Sequence, residues 1–328
     1  MRLEIERKLT VGERDPLVSI VITCFNHGTF LQDAFHSARW QTYRNVEILV
    51  VDDGSTDNSL EVANKLEHAI VLHQRNAGLP SARNAGLLKS TGAYVTFLDA
   101  DDILLPNAVE LGVAALITRA GYAFVCGGHR GVSLDRVALW ERSPAYEGDP
   151  YKAFLRGNFI AMHGTVLYDR SILVREGGFD PGLEACEDYD VYLRLARKYP
   201  IEVYSEIVAE YRQHDYNMSR NYQKMLRSAL LVLRRQKMHT GSDRSYKAAY
   251  RDGIGFWKRL YGRQMIKAAV RDLNRSGKFR SAILTLAWAG QHAPAAYIDL
   301  IASSLGYPRG PHRRAEQVAS GAAPLAGD

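Results

Sequence analysis

Between residues 18 and 99, short runs of β-branched residues alternate with stretches of helical period, and two of the runs lead straight into aspartate. That alternation limits the fold most, because strands separated by helices pair in parallel through crossover connections. Val18 to Cys24, Val46 to Val51, Ile70 to Leu72 and Tyr94 to Leu98 read as strands. Phe30, Leu31, Ala34, Phe35 and Ala38 share one helical face, and Leu60 to Leu66 and Ser81 to Lys89 continue the pattern. A further helix from Pro106 to about Arg119 precedes a strand at Phe124 to Cys126. The expected fold is therefore α/β, with a Rossmann-like central sheet. Ligands of such open sheets bind beyond the carboxyl ends of the strands, so the acidic loops at Asp52-Asp53 and Asp99 to Asp102 mark where a site should lie.

From about Tyr222 the pattern changes to long, basic, helix-rich segments. The expected organisation is a catalytic domain over residues 1–220, a helical C-terminal region over 221–309, and an Ala-, Gly- and Pro-rich tail over 310–328 expected to be disordered. The composition, 46% hydrophobic and 24% charged, is ordinary for a globular chain, and the net charge of +6 suits an anionic partner without choosing one. Cys24, Cys126 and Cys186 are too widely spaced for a disulfide framework or a zinc ribbon, which points to a reducing compartment. Met1 to Pro16 has no apolar run of secretory length, and no stretch approaches the length that crosses a bilayer. A cytoplasmic location is expected. Arg251, Lys258, Arg259, Arg263 and Lys267 lie among Phe256, Trp257, Leu260, Tyr261 and Ile266. That mixture suits a peripheral contact with the inner membrane face, with a packed helical subdomain as the rival reading.

The chemistry concentrates in Asp99-Ala100-Asp101-Asp102, which follows the apolar Thr96-Phe-Leu98. Closely spaced carboxylates repel one another unless a cation or a proton relieves them, and hard oxygens suit Mn²⁺ or Mg²⁺. An Asp-x-Asp alone is weak evidence, since Asp188-Tyr-Asp190 repeats it. No Gly-x-Gly-x-x-Gly follows the first strand and no Gly-Lys-Thr loop is present, which disfavours dinucleotide and P-loop chemistry.

Val18-Ser-Ile-Val-Ile-Thr-Cys-Phe-Asn26, Gln41-Thr-Tyr43, Val50-Val-Asp-Asp-Gly-Ser-Thr-Asp57, Asn76-Ala-Gly78, Ala82-Arg-Asn-Ala-Gly86 and the Asp99 motif occur in order. With Gly177-Gly-Phe-Asp180, Glu187-Asp188 and Tyr211-Arg-Gln-His214, they resemble the inverting glycosyltransferases of family 2, which have the GT-A fold. The resemblance covers about the first two thirds of the chain. It implies a nucleotide-sugar donor, most naturally a UDP-sugar, and a divalent metal, Mn²⁺ or Mg²⁺. By that resemblance Thr23, Cys24, Phe25, Asn26, Asp53, Arg83, Asp99 and Ala100 bind the nucleotide-sugar, and Asp101 and His214 bind the metal. Asp188, with Glu187 beside it, is the catalytic base. Arg also suits a diphosphate in its own right, because its planar fork binds two oxygens together. For Asp188 a helix N-terminus is expected to favour the ionised form. The acceptor is a glycan, lipid-linked or protein hydroxyl, with no nucleic acid involved. A nucleotidyltransferase using the same nucleotide and metal, and a basic membrane or nucleic-acid module with a degenerate catalytic half, are the alternatives.

Overall fold

The computed structural model describes residues 15–214, 217–273 and 278–304, so the expected tail at 310–328 lies outside the described residues. Two compact units result, one of residues 15–145 and 162–214 and one of residues 146–161 with the described residues from 217 onward.

The first unit is built on a nine-stranded mixed sheet. β1 (Val18–Cys24) lies between β2 (Val46–Asp52) and β4 (Tyr94–Asp99), and β3 (Ala69–His73) flanks β2; all four are parallel. Beyond β4 the order is β8 (Val166–Asp169), β6 (Phe124–Val132), β9 (Ile201–Arg212) and β5 (Ile103–Leu104), with β7 (Ala138–Arg142) also paired to β6. Every residue of β1 is buried. A parallel strand covered on both faces favours a near-continuous apolar run, here broken only by Ser19, whose hydroxyl donates to Glu47, and by Thr23 at the site.

Ile20 and Ile22 pack with Leu31, Ala34 and Phe35 of α1 (Gly28–Arg39), beside the short α2 (Ser59–Asn64). Val21 meets α3 (Leu79–Lys89) on the opposite face, so closely that a Cβ on Gly86 would lie 2.2 Å from Val21 Cγ1. α4 (Ala108–Leu116) and α6 (Arg170–Arg175) follow, and α7 (Glu187–Ala196) precedes β9. The registers Cys24↔Asp52 and Thr23↔Asp99 bring three strand ends level at one edge.

The sequence pattern ends the strand from Phe124 at Cys126, but β6 continues to Val132. Its glycines admit aromatic rings rather than break the strand. A Cβ on Gly127 would lie 2.6 Å from the Tyr204 ring, and one on Gly131 would lie 2.2 Å from that of Trp140. β9 runs parallel to β6 along its length and carries the chain back to the strand-end edge.

The second unit is helical: α5 (Pro150–Arg156), α8 (Tyr222–Gln236), α9 (Arg244–Leu273), α10 (Phe279–His292) and α11 (Ala295–Ser304). α5 approaches α9 so closely that a Cβ on Gly253 would lie 1.9 Å from the Leu155 carbonyl oxygen. Phe256, Trp257, Leu260, Tyr261 and Ile266 are all buried. This corrects the expectation that they share a membrane-facing surface with their basic neighbours: they form the core of the unit. No described helix is long and apolar enough to cross a membrane.

Candidate active site

At the shared edge, the Thr23 hydroxyl donates to Asp99 Oδ1 at 3.0 Å, and the Ala100 amide donates to the Thr23 carbonyl at 3.0 Å. The Asp53 amide donates to the Cys24 carbonyl at 2.9 Å. Cys24 turns its side chain into the core, while Phe25 is 45% exposed at the strand end. Asn26 has φ 57°, a region that Asn tolerates better than most residues. Its Oδ1 accepts from the Thr56 amide at 2.7 Å and the Asp57 amide at 3.3 Å, locking the loop after β1 to the loop after β2. Asp53 accepts from Gln74 Nε2 at 2.7 Å and from the Ala77 and Gly78 amides, each at 2.9 Å. It therefore fixes the segment that opens α3 and aims Arg83.

Arg83 is 2% exposed. Its guanidinium donates to Glu187 Oε1 at 2.5 Å and to Asp99 at 2.9 and 3.2 Å, and the Phe179 ring lies 5.6 Å from its central carbon. The sequence aims this fork at a diphosphate; in the structure it joins two carboxylates of the site. Desolvation opposes its charge, but Asp99, Glu187 and Asp188 outweigh that and raise its pKa. Buried His163 is held well below the usual imidazole range by burial and by Arg83, so it adds no charge to balance the acids.

Glu187 and Asp188 occupy the first turn of α7. Cys186 at the helix N-cap has φ 60°, and the Asp188 Oδ1 accepts from the Tyr189 amide at 2.7 Å. The Asp188 carboxyl is pushed up to about 7, chiefly by burial and then by Glu187, against the downward pull of Arg83 and the Tyr189 amide. This is opposite in sign to the expected effect of a helix N-terminus. The second Asp-x-Asp separates from the site at its other end, since Asp190 pairs with Arg194 at 2.7 Å.

A second cluster lies at Asp101. Its Oδ2 is 2.9 Å from His214 Nε2, and ligand atoms of His27, Asp101 and His214 all lie within 4.8 Å of one another. Burial raises the Asp101 pKa, but the hydrogen bond to His214 and the charges of His27 and His214 prevail and lower it. Asp102 moves the other way. Burial and the charges of Asp101 and Asp99 push it well above the carboxylate range, although it accepts from the Arg212 amide at 3.1 Å.

Phe30 braces this cluster. Its ring stacks on His214 at 5.4 Å, meets His27 edge-on at 6.0 Å, and lies under the Arg212 guanidinium at 4.8 Å. Arg212 is itself fixed by Asp33 at 2.9 Å. Two imidazoles and one carboxylate fit a divalent transition metal better than Mg²⁺, which prefers an all-oxygen shell.

The structure thus gathers Thr23, Ala100 and Asp99 with Arg83, Glu187 and Asp188, and sets Asp101 with His214. Asn26 and Asp53 brace the loops beside them. Sequence reasoning missed His27, Phe30 and Arg212. For His27 a signal was present: it follows Asn26 in the turn after β1, at the strand-end edge where ligands bind.

Comparison with known proteins gives the family and the fold. The family described as Glycosyl transferase family 2 matches residues 19–176. An uncharacterized glycosyltransferase of Rickettsia typhi is 30% identical over 240 residues, covering 68% of this chain and 74% of that one. Against other curated relatives the chain spans 14 to 64% of their lengths. Among solved structures, a mannosyltransferase from Pyrobaculum calidifontis, in complex with GDP-Man and Mn²⁺, aligns with a TM-score of 0.59 at 16% identity, over 93% of this chain and 84% of that one. TarS of S. aureus, in complex with UDP-GlcNAc, aligns with a TM-score of 0.52 at 14% identity, over 88% and 92%. At these identities the two structures establish the GT-A fold alone.

Proposed function

Since the chain belongs to glycosyltransferase family 2 and is a transferase of GT-A fold, we propose that it moves a sugar from a UDP-sugar to an acceptor hydroxyl with inversion, aided by a divalent metal, with Asp188 as general base. One observation supports this best. The candidate site holds an aspartate after β4 paired with imidazole, whose pKa is lowered, and another at the start of α7, beside Glu187 and Arg83, whose pKa is raised to about 7. A general base works best when its pKa lies near the working pH, and a carboxylate that ligates a metal must be deprotonated.

In this reading His27, Asp101 and His214 hold Mn²⁺ in preference to Mg²⁺. The bound ion supplies positive charge toward the departing diphosphate. The Asp188 carboxylate takes the acceptor hydroxyl's proton from the face opposite the diphosphate, as inversion requires. Glu187 tunes that carboxylate, and Arg83 positions Asp99 and Glu187 as a buried cation between them. The Thr23 to Asn26 loop, with Asp53 and Ala100, forms the nucleotide side, where the exposed Phe25 offers a ring to the base. TarS is in complex with UDP-GlcNAc and the mannosyltransferase with GDP-Man, so UDP- and GDP-sugars are the two arms of the test.

The test incubates the protein with a panel of UDP- and GDP-sugars, Mn²⁺ and candidate acceptors, and follows nucleotide release together with product configuration by NMR. UDP release with a β-linked product from an α-linked donor is expected. GDP release would replace the donor, a retained configuration would overturn the inverting mechanism, and pyrophosphate release would turn the reading to nucleotidyl transfer.

A further inference from the structure

A helix on the surface of a water-facing unit ordinarily turns its large apolar side chains inward. α10 does the reverse. Its fully buried residues are Ala282 and Ala289, 2% and 0% exposed, with Leu286 and Trp288 half-buried, while Phe279, Ile283 and Leu284 are 61%, 46% and 62% exposed. At 100° per residue those three share an arc of roughly 140° with Arg280. α11 repeats the inversion. Buried Ala296 packs against α9, where a Cβ on Gly262 would lie 2.7 Å from it, and Ile298 is 68% exposed. The Arg263–Asp299 ion pair, at 2.9 Å, holds α11 in that orientation.

The exposed apolar residues lie next to basic ones. Val270, Lys267 and Arg271, at the end of α9, are exposed, as are Lys278 and Arg280 at the start of α10. Asp272 is the acid there. Residues 217–304 contain 17 Lys and Arg against 4 Asp and Glu, whereas the whole chain has 42 against 36. The basic surplus of the protein is thus concentrated in the part that displays large apolar side chains.

We propose that the α9–α10 end of the second unit docks on an anionic lipid surface, inserting Phe279, Ile283 and Leu284 below the headgroups while Lys267, Arg271, Lys278 and Arg280 meet the lipid phosphates. Apolar residues on one arc with Lys and Arg beside them are the composition of interfacial helices. A second copy of the chain fits less well, because two such ends would bring like charges together. Residues 305–328 offer few large apolar side chains, Leu305, Tyr307, Val318 and Leu325, to cover the face.

The test floats the full chain with vesicles of phosphatidylcholine alone, or with roughly 30% phosphatidylglycerol, at low and high salt. Flotation is expected with the anionic vesicles at low salt, and loss of it with neutral vesicles or high salt. The triple variant Phe279→Ser, Ile283→Ser, Leu284→Ser should bind at least about tenfold more weakly. Its helix content and melting temperature should match those of the parent, because the three side chains are exposed. If the parent stays in solution with anionic vesicles, or the variant floats as well as the parent, the proposal fails. A concentration-dependent dimer abolished by the triple variant, without lipid binding, would assign the face to a second copy instead.

Discussion

Two aspartates of the candidate site, Asp101 in the turn after β4 and Asp188 in the first turn of α7, are pushed in opposite directions. Both are taken out of water, so burial raises both. They part because of their neighbours. Asp101 meets imidazole nitrogens of His214 and His27, and Asp188 meets Glu187 and Asp99 with the one guanidinium of Arg83 among them. Three carboxylates about one cation leave an excess of negative charge that a proton relieves, and Asp188 is where it is relieved. The difference teaches that residue type does not set the role. One side chain becomes a permanent anion suited to a cation, the other an anion that can gain and lose a proton near neutrality.

Three measurements bear on that contrast. The largest effect is expected for Asp101→Ala, which removes the carboxylate shared with both histidines. Turnover should fall by on the order of 10³-fold or more, the scale of several kcal/mol attributed to metal assistance, and the Mn²⁺ dependence of nucleotide binding should vanish. Near-normal, metal-dependent turnover would make the two aspartates interchangeable.

Asp188→Asn should lower turnover by about 10²- to 10⁴-fold, the range for a general base, with UDP and Mn²⁺ affinity close to that of the parent. Equal losses of affinity and turnover in this variant would dissolve the separation of jobs.

The smallest effect is a shift in pH dependence. Only ionised Asp188 accepts a proton, so the parent's turnover should rise as pH increases through about 7 and level off above it. Glu187→Gln removes a neighbouring negative charge that raises the Asp188 pKa, so the rising limb should move to lower pH, by about one pH unit. A limb that stays in place would mean that Glu187 does not tune the base. One that moves upward would reverse the sign of the argument.

The parallel half of the sheet was legible because β1, β2 and β4 are covered on both faces, which leaves near-continuous apolar runs. β6 and β9 were not. Gly127 and Gly131 resemble strand breakers until Tyr204 and Trp140 are seen to fill the room they leave, and β9 carries Glu202, Ser205 and Glu206 through its middle. In the site, Asp101, His214 and Asp188 came from motif order, but their surroundings did not. The partners of Arg83 lie 16 and 104 residues away, so no local pattern could have turned it from the diphosphate to Asp99 and Glu187.

The expected pull of the helix terminus toward ionised Asp188 is outweighed for a reason of magnitude. A helix terminus contributes roughly 0.3–1 kcal/mol. Raising a carboxyl from 3.8 to about 7 disfavours its ionised form by on the order of 4 kcal/mol.

The left-handed backbone at Cys186 sets two costs against each other. A side chain in that region costs about 1–2 kcal/mol that glycine would not incur, but the Cys186 side chain is buried, so glycine there would leave a void that offsets that gain. Because the position immediately precedes Glu187 and Asp188 in the first turn of α7, glycine would also loosen the backbone from which the proposed base is presented.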